Sequence, residues 1–352
     1  MTAIPIECWY VLGPSESAGR TLRAYRVAGL PLVVFRTVGG QVVALHDRCV
    51  HRPYPLHLGQ LEGDELSCGL CGFVYGPDGR CLRVPTQSRV PVGAAVRSYP
   101  VREAHGLVWV WTGEPGRARL HRLPDLPWLA GDGWATVGGE LSVGAGFLLL
   151  HESFADVTKI PVLVPEVSPS VLRAAPPPLD VEVTETTVSL ARRYPPGRVP
   201  DWQARALGRR GDQELEHLQE GHFLSPAAWV DHWDVVLDRP GPGLVGDGPG
   251  GRARMRFTQL VTPVDGHRTR LLWRVSRDFS VGDGATTAQL AEMFAPYYAT
   301  LAGALETMQQ VIDEDGPAAE VNVSADVAAL RVRQIVQAML AEENAGLISL
   351  PG

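Results

Sequence analysis

Two short loops constrain this chain more than any other feature. Cys49-Val50-His51 and Cys68-Gly69-Leu70-Cys71 are separated by 16 residues. Each loop offers two soft or borderline ligands, and C-x-H and C-x2-C spacings are short enough for both side chains to converge on one ion. Four such donors in a β-rich stretch point to a tetrahedral zinc site or an iron–sulfur cluster. The competing reading is a set of unrelated buried thiols. Cys8 and Cys81 lie outside the pairs and read as ordinary thiols. Met1–Tyr10 lacks the basic and apolar runs of a secretion signal, so the expected location is cytoplasmic, and ligation suits the cysteines better than a disulfide framework.

The loops sit in a segment of short strands and turns. Leu32–Phe35 and Val42–Leu45 flank a Gly39-Gly40 turn, Gly76-Pro77-Asp78-Gly79 forms another, and Val108–Trp111 is the last strand. Beyond a Pro/Gly/Arg-rich bridge the pattern changes. Residues 146–157 have helical spacing, Arg252–Phe257 alternates strictly, and residues 287–312 and 325–343 carry long helical periods. The expected fold is α+β: an all-β domain over residues 1–115, then residues 116–352 as an antiparallel sheet against long helices. Residues 201–223, Arg-rich then Glu-rich, read as a polar helical insertion that either covers a pocket or lies in solvent. Trp202, Trp229, Trp233, His222, His232 and Tyr194 read as core residues. Hydrophobic residues make up 45% of the chain, which supports a large core, and the net charge of −7 argues against nucleic-acid binding. The apolar run Val143–Leu150 is too short to span a membrane.

The string Cys49-Val50-His51-Arg52, with Cys68-Gly69-Leu70-Cys71-Gly72-Phe73-Val74-Tyr75 and Asp78-Gly79, resembles the Rieske [2Fe–2S] domain of Rieske non-haem iron oxygenases. The family loops read C-x-H and C-x2-H, so Cys71 stands in place of the second histidine. The resemblance implies a [2Fe–2S] cluster on Cys49, His51, Cys68 and Cys71, with three thiolates and one imidazole and hence a lowered potential; zinc is the alternative. It also implies a homotrimer and a pocket for a hydrophobic small molecule.

Glu152-Ser153-Phe154-Ala155-Asp156-Val157-Thr158-Lys159 and the following Ile160–Pro165 look like the oxygenase iron-site segment. Glu152, Asp156 and Pro161 match, but Lys159 and Val164 stand where the two ligand histidines belong. The resemblance places Asp315 as the carboxylate ligand. A protonated lysine has no lone pair and valine has no donor, so no mononuclear Fe(II) is expected. Lys159 is also singular: the chain has 32 basic residues, and every other one is arginine. Three roles suit it. It balances the charge of Asp156 and Asp315, polarises a substrate carbonyl with Asp156, Asp315 or Glu152 as acid–base partners, or forms a Schiff base. The resulting expectation is a non-oxidative enzyme on an oxygenase scaffold, a cyclase, cycloaddition catalyst or isomerase of secondary metabolism. A monooxygenase with rearranged ligands and a non-catalytic binding subunit are the alternatives.

Overall fold

The computed structural model describes residues 3–165, 167–237, 251–316 and 318–348. The fold is α+β, in two compact units. The first comprises residues 4–123 with 262–266, and the second comprises residues 124–261 and those from 267 onward. The first unit therefore runs past residue 115 and takes in the tip of a hairpin far along the chain.

The first unit holds β1 (Trp9–Pro14), β2 (Arg23–Val27), β3 (Leu30–Arg36), β4 (Val42–His46), β5 (Gln60–Glu62), β6 (Glu65–Ser67), β7 (Val74–Tyr75), β8 (Cys81–Arg83), β9 (Ser98–Tyr99), β10 (Val101–Ala104) and β11 (Leu107–Trp111). They form three small sheets in the orders β1-β11-β10, β2-β3-β4-β9 and β5-β6-β7-β8. Val33, Phe35, Leu45, Leu66 and Tyr75 form one core with Cys49, Cys68 and Cys81. The β7–β8 turn closes as its Gly-Pro-Asp-Gly sequence predicts, with Gly79 N–H donating to the Gly76 carbonyl at 2.9 Å. Gly79 has φ +84°, and a Cβ there would lie 2.2 Å from the Val96 carbonyl oxygen. Gly79→Ala is therefore expected to destabilise this unit by about 2–4 kcal/mol, measured by denaturant unfolding.

The second unit contains β12 (Ala135–Val143), α1 (Phe147–Ala155), α2 (Ile160–Leu163), β13 (Asp180–Val183), β14 (Val188–Arg198), α3 (Asp201–Ala206), β15 (Glu214–Ser225), β16 (Ala228–Val236), β17 (Arg252–Asp265), β18 (Arg268–Arg277), α4 (Gly284–Asp315) and α5 (Val327–Ile348). The strands make one seven-stranded sheet, β12-β18-β17-β16-β15-β14-β13. α4 packs on β12, and α5 packs on α1. Asp283 caps α4 by accepting from Ala285 N–H at 3.0 Å. Among the described residues no helix is long and apolar enough to cross a membrane.

The helical expectation for residues 201–223 is corrected. Only Asp201–Ala206 is helical, and Glu214–Ser225 is an inner strand of the sheet. Its charged residues conceal a period of two: Leu215, His217, Gln219, Gly221 and Phe223 are buried in alternation with more exposed neighbours.

Candidate functional site

In the first unit, the β4–β5 loop brings Cys49 to the β6–β7 loop that carries Cys68 and Cys71. Backbone hydrogen bonds close both loops: Cys49 N–H to Tyr54 O at 3.0 Å and Cys68 N–H to Phe73 O at 2.8 Å. The three sulfurs lie within 4.8 Å of one another, and Cys49 and Cys71 are 3.6 Å apart. Burial opposes ionisation of Cys49. Hydrogen bonds from the Tyr75 hydroxyl, 3.1 Å away, and from the His51 and Arg52 backbone nevertheless hold its thiol below the ordinary value. Burial and the neighbouring sulfurs push Cys71 up to about 12. Three thiols this close repel one another as thiolates, and a cation among them removes that repulsion. His51 is not part of this convergence; its exposed ring stacks on Phe73, with centroids 4.9 Å apart. Three thiols and an imidazole two residues from Cys49 are nonetheless a chemically suitable donor set for a [2Fe–2S] cluster.

In the second unit, a largely apolar cavity of about 820 Å³, counted out to its open mouth, lies between the sheet and α1, α2, α3 and α4. Trp202, Trp233, Phe257, Phe294, Tyr297 and Tyr298 form its aromatic walls. Its polar groups are few: Lys159, Asp156 and Asp231, with Gln203, Gln219 and Gln259. The Tyr194 hydroxyl fixes Gln219 at 3.0 Å.

Lys159 lies in the turn that joins α1 to α2. Its ammonium folds back onto the last turn of α1, donating to the Ser153 carbonyl and, at 2.5 Å, to the Asp156 carbonyl. Both carbonyls lie at the negative end of the helix dipole, and Ser153 O also accepts, at 3.4 Å, from the Asp156 N–H that caps α1. Lys159 makes no ion pair within 4 Å among the described residues, so direct charge pairing with Asp156 or Asp315 is corrected to backbone capping. The Asp156 carboxylate accepts instead from the Thr158 backbone at 2.8 Å and from its hydroxyl at 2.9 Å. Burial pulls the Lys159 ammonium down to about 8, against the opposing pull of the Asp156 and Asp231 carboxylates.

Asp231 is the group that sequence reasoning missed. Burial pushes its carboxyl up to about 7, and its Oδ1 is buried without a hydrogen bond. A signal was present: Trp229, Asp231 and Trp233 alternate along β16, which puts one acid on an aromatic face.

Asp315 and Glu152 are placed elsewhere. Asp315 is the exposed last residue of α4 and does not line the cavity. Glu152 is ion-paired with Arg333 at 2.7 Å, in a cleft between α1 and α5 that borders the cavity through Ser153, Asp156 and Lys159; Glu152 itself does not line the cavity. His151 is a core residue whose Nε2 lies 2.9 Å from the Pro226 carbonyl, and burial pulls it down to about 4. Where Lys159 and Val164 meet α4, the narrow cleft is completed by Ile160, Leu163, Tyr297 and Leu301. None of these side chains offers Fe(II) an imidazole or a carboxylate. Among the described residues no trio of His, Cys, Asp or Glu donors converges in the cavity. The residues there do not fit a two-histidine, one-carboxylate iron site.

Comparisons with known proteins agree with the fold. Residues 8–100 match the Rieske [2Fe-2S] domain, and residues 143–342 match the vanillate O-demethylase oxygenase C-terminal domain. A putative toluene-4-sulfonate monooxygenase system iron-sulfur subunit of Comamonas testosteroni is 27% identical, over 96% of this chain and 97% of its own. A vanillate O-demethylase oxygenase subunit of a Pseudomonas species is also 27% identical, over 91% of this chain and 97% of its own. The crystal structure of dicamba monooxygenase bound to dicamba superimposes with a TM-score of 0.85 at 22% identity, covering 98% of this chain and all of the other. The Rieske match implies a [2Fe–2S] cluster. With the second match spanning more than half its length, the chain belongs to the Rieske oxygenase family, as a Rieske domain joined to an oxygenase domain of the vanillate O-demethylase type.

Proposed function

We propose that the second unit binds a hydrophobic small molecule and transforms it without mononuclear iron, by cyclisation, cycloaddition or isomerisation. The observation that carries this reading is the seat of Lys159: an ammonium on the wall of an aromatic cavity, beside a cleft completed by Val164, Tyr297 and Leu301. An ammonium has three N–H donors, and two are used on Ser153 and Asp156. The third is available to a substrate oxygen, where a cationic donor stabilises developing negative charge. Asp231, the second group, accepts or returns a proton, and its value near 7 suits that task at neutral pH. The aromatic walls hold an extended apolar substrate in a reactive conformation and exclude water from it. Cys49, Cys68 and Cys71, with His51, would hold the cluster, which supplies one-electron transfer when bound. We further propose that the chain assembles as a homo-oligomer, which a solution mass measurement tests.

A second reading, an oxygenase with rearranged ligands, is favoured by relatives whose names describe monooxygenase and demethylase components. Iron quantitation and electron paramagnetic spectra of anaerobically purified protein separate the two. We expect iron in no more than cluster stoichiometry and turnover without oxygen or a reductase. One further equivalent of mononuclear iron, with oxygen-dependent turnover, overturns the proposal.

A further inference from the structure

On the face of the sheet opposite the cavity, Glu220, His222 and His232 meet. β15 and β16 pair with Glu220 opposite His232, and strand alternation sends these side chains away from Gln219, Asp231 and Trp233, which line the cavity. The donor atoms of the three residues lie within 4.8 Å of one another. Glu220 Oε2 is 3.3 Å from His232 Nδ1 and 3.6 Å from His222 Nε2.

As hydrogen bonds these contacts are poor. The second exceeds hydrogen-bond range, and His222 Nε2 is buried without a partner, which is an uncommon state for a buried nitrogen. As edges of a coordination polyhedron they are ordinary, since bonds of about 2.0–2.2 Å at tetrahedral angles put neighbouring donors about 3.3–3.6 Å apart. The ring of His222 is already oriented for ligation. Its Nδ1 lies 3.0 Å from Ser189 Oγ on the adjacent strand, and a proton shared there leaves the Nε2 lone pair facing Glu220. Trp128 braces His232 edge-on at 5.4 Å. The nearby Arg256 cation is neutralised by Asp234 at 2.6 Å.

We propose that Glu220, His222 and His232 bind a divalent transition metal, with Zn²⁺ the expected occupant, as a site that ties β15 to β16 and is separate from both the cysteine loops and the cavity. Two imidazoles and a carboxylate suit Zn²⁺ or Co²⁺, and the half-exposed Glu220 leaves room for a water as fourth ligand. The proposal does not rest on the function assigned to the cavity.

Titration of the full chain with Co²⁺ tests it, because thiolate ligation announces itself by a near-ultraviolet charge-transfer band that nitrogen and oxygen ligands lack. The expected result is one equivalent of Co²⁺, beyond any held by the cysteine loops, that adds visible ligand-field bands without further thiolate charge transfer, is displaced by Zn²⁺ and is lost in His222→Ala and His232→Ala. Glu220→Gln, at a half-exposed position that leaves folding intact, is expected to weaken this binding by about tenfold or more. Absence of that thiolate-free equivalent, or unchanged affinity in Glu220→Gln with circular dichroism like that of the parent chain, overturns the proposal.

Discussion

Asp231→Asn is expected to raise the thermal stability of the second unit at pH 8 and to leave it unchanged at pH 4. The folded-state value for Asp231, about 7, lies above the roughly 3.9 of an unfolded aspartate. The folded chain therefore binds this proton more tightly than the unfolded chain does. The contribution of the group is fully present below about pH 4 and is lost as pH rises through 7. A shift of this size corresponds to at most about 4 kcal/mol at pH 8, which for a unit of this length is a Tm change of about 8–16 °C. The gain is smaller than that ceiling, because asparagine also withdraws the carboxylate that helps keep Lys159 protonated. The sign is the stronger part of the expectation. Most substitutions at buried positions destabilise, whereas this one removes a carboxylate whose Oδ1 has no hydrogen bond and whose Oδ2 has only the long 3.4 Å contact from Gln259 Nε2, and puts a neutral group of the same shape in its place. Calorimetric scans of both proteins at pH 4, 6 and 8 read it directly. A variant less stable than its parent at pH 8 would show that the Asp231 carboxylate is compensated in the fold.

How much of this was legible in the sequence differs between the two units. The cysteine loops were readable because ligand chemistry depends on residue type and short spacing, and both are local. The structure brings Cys49, Cys68 and Cys71 together, while His51 faces Phe73. The alternation of Arg252–Phe257 and the long helical periods after residue 284 also map directly onto elements. The strand Glu214–Ser225 was hidden because three glutamates on its outward face gave it the composition of a solvated helix. Asp315 was misplaced for a different reason. In a helix of 32 residues, which turn faces the cavity depends on how the helix packs, and no local motif encodes that. The turn that meets Lys159 carries Tyr297 and Leu301, about four turns before Asp315. Asp231 went unnoticed because Lys159, whose charge it feels on the same cavity, is 72 residues away in the chain, and proximity at that range is set by the sheet and not by any motif. Lys159 itself stood out by composition, but its use of the α1 carbonyls required the backbone path of the turn.

Lys159→Met is the substitution with the largest expected effect on turnover. Removing a cationic donor from a desolvated cavity costs about 10²- to 10⁴-fold in rate when that donor contacts developing charge, and it moves KM far less. The wild-type rate is expected to peak between about pH 7 and 8, where Asp231 is ionised and Lys159 still protonated; the variant loses the alkaline limb. Loss of folding is not the expected cause, and magnitudes show why. Keeping an ammonium whose folded value is about 8 costs at most about 3 kcal/mol at neutral pH, and methionine relieves that. Methionine also takes the ammonium donor from the Asp156 carbonyl and leaves the Ser153 carbonyl only the 3.4 Å contact from the Asp156 N–H, at about 1–3 kcal/mol. The two effects nearly offset at pH 7. Their balance shifts with pH in a known direction: the lysine penalty is full below about pH 8 and fades as pH rises through 10.4, the unfolded value. The variant should therefore match its parent in Tm near pH 7 and fall below it near pH 10. Full turnover in a folded Lys159→Met protein would remove Lys159 from the chemistry and leave it as the cap of α1. A rate lost together with the fold at pH 7 would instead mean that those two carbonyls depend on the lysine far more than an ordinary helix end does.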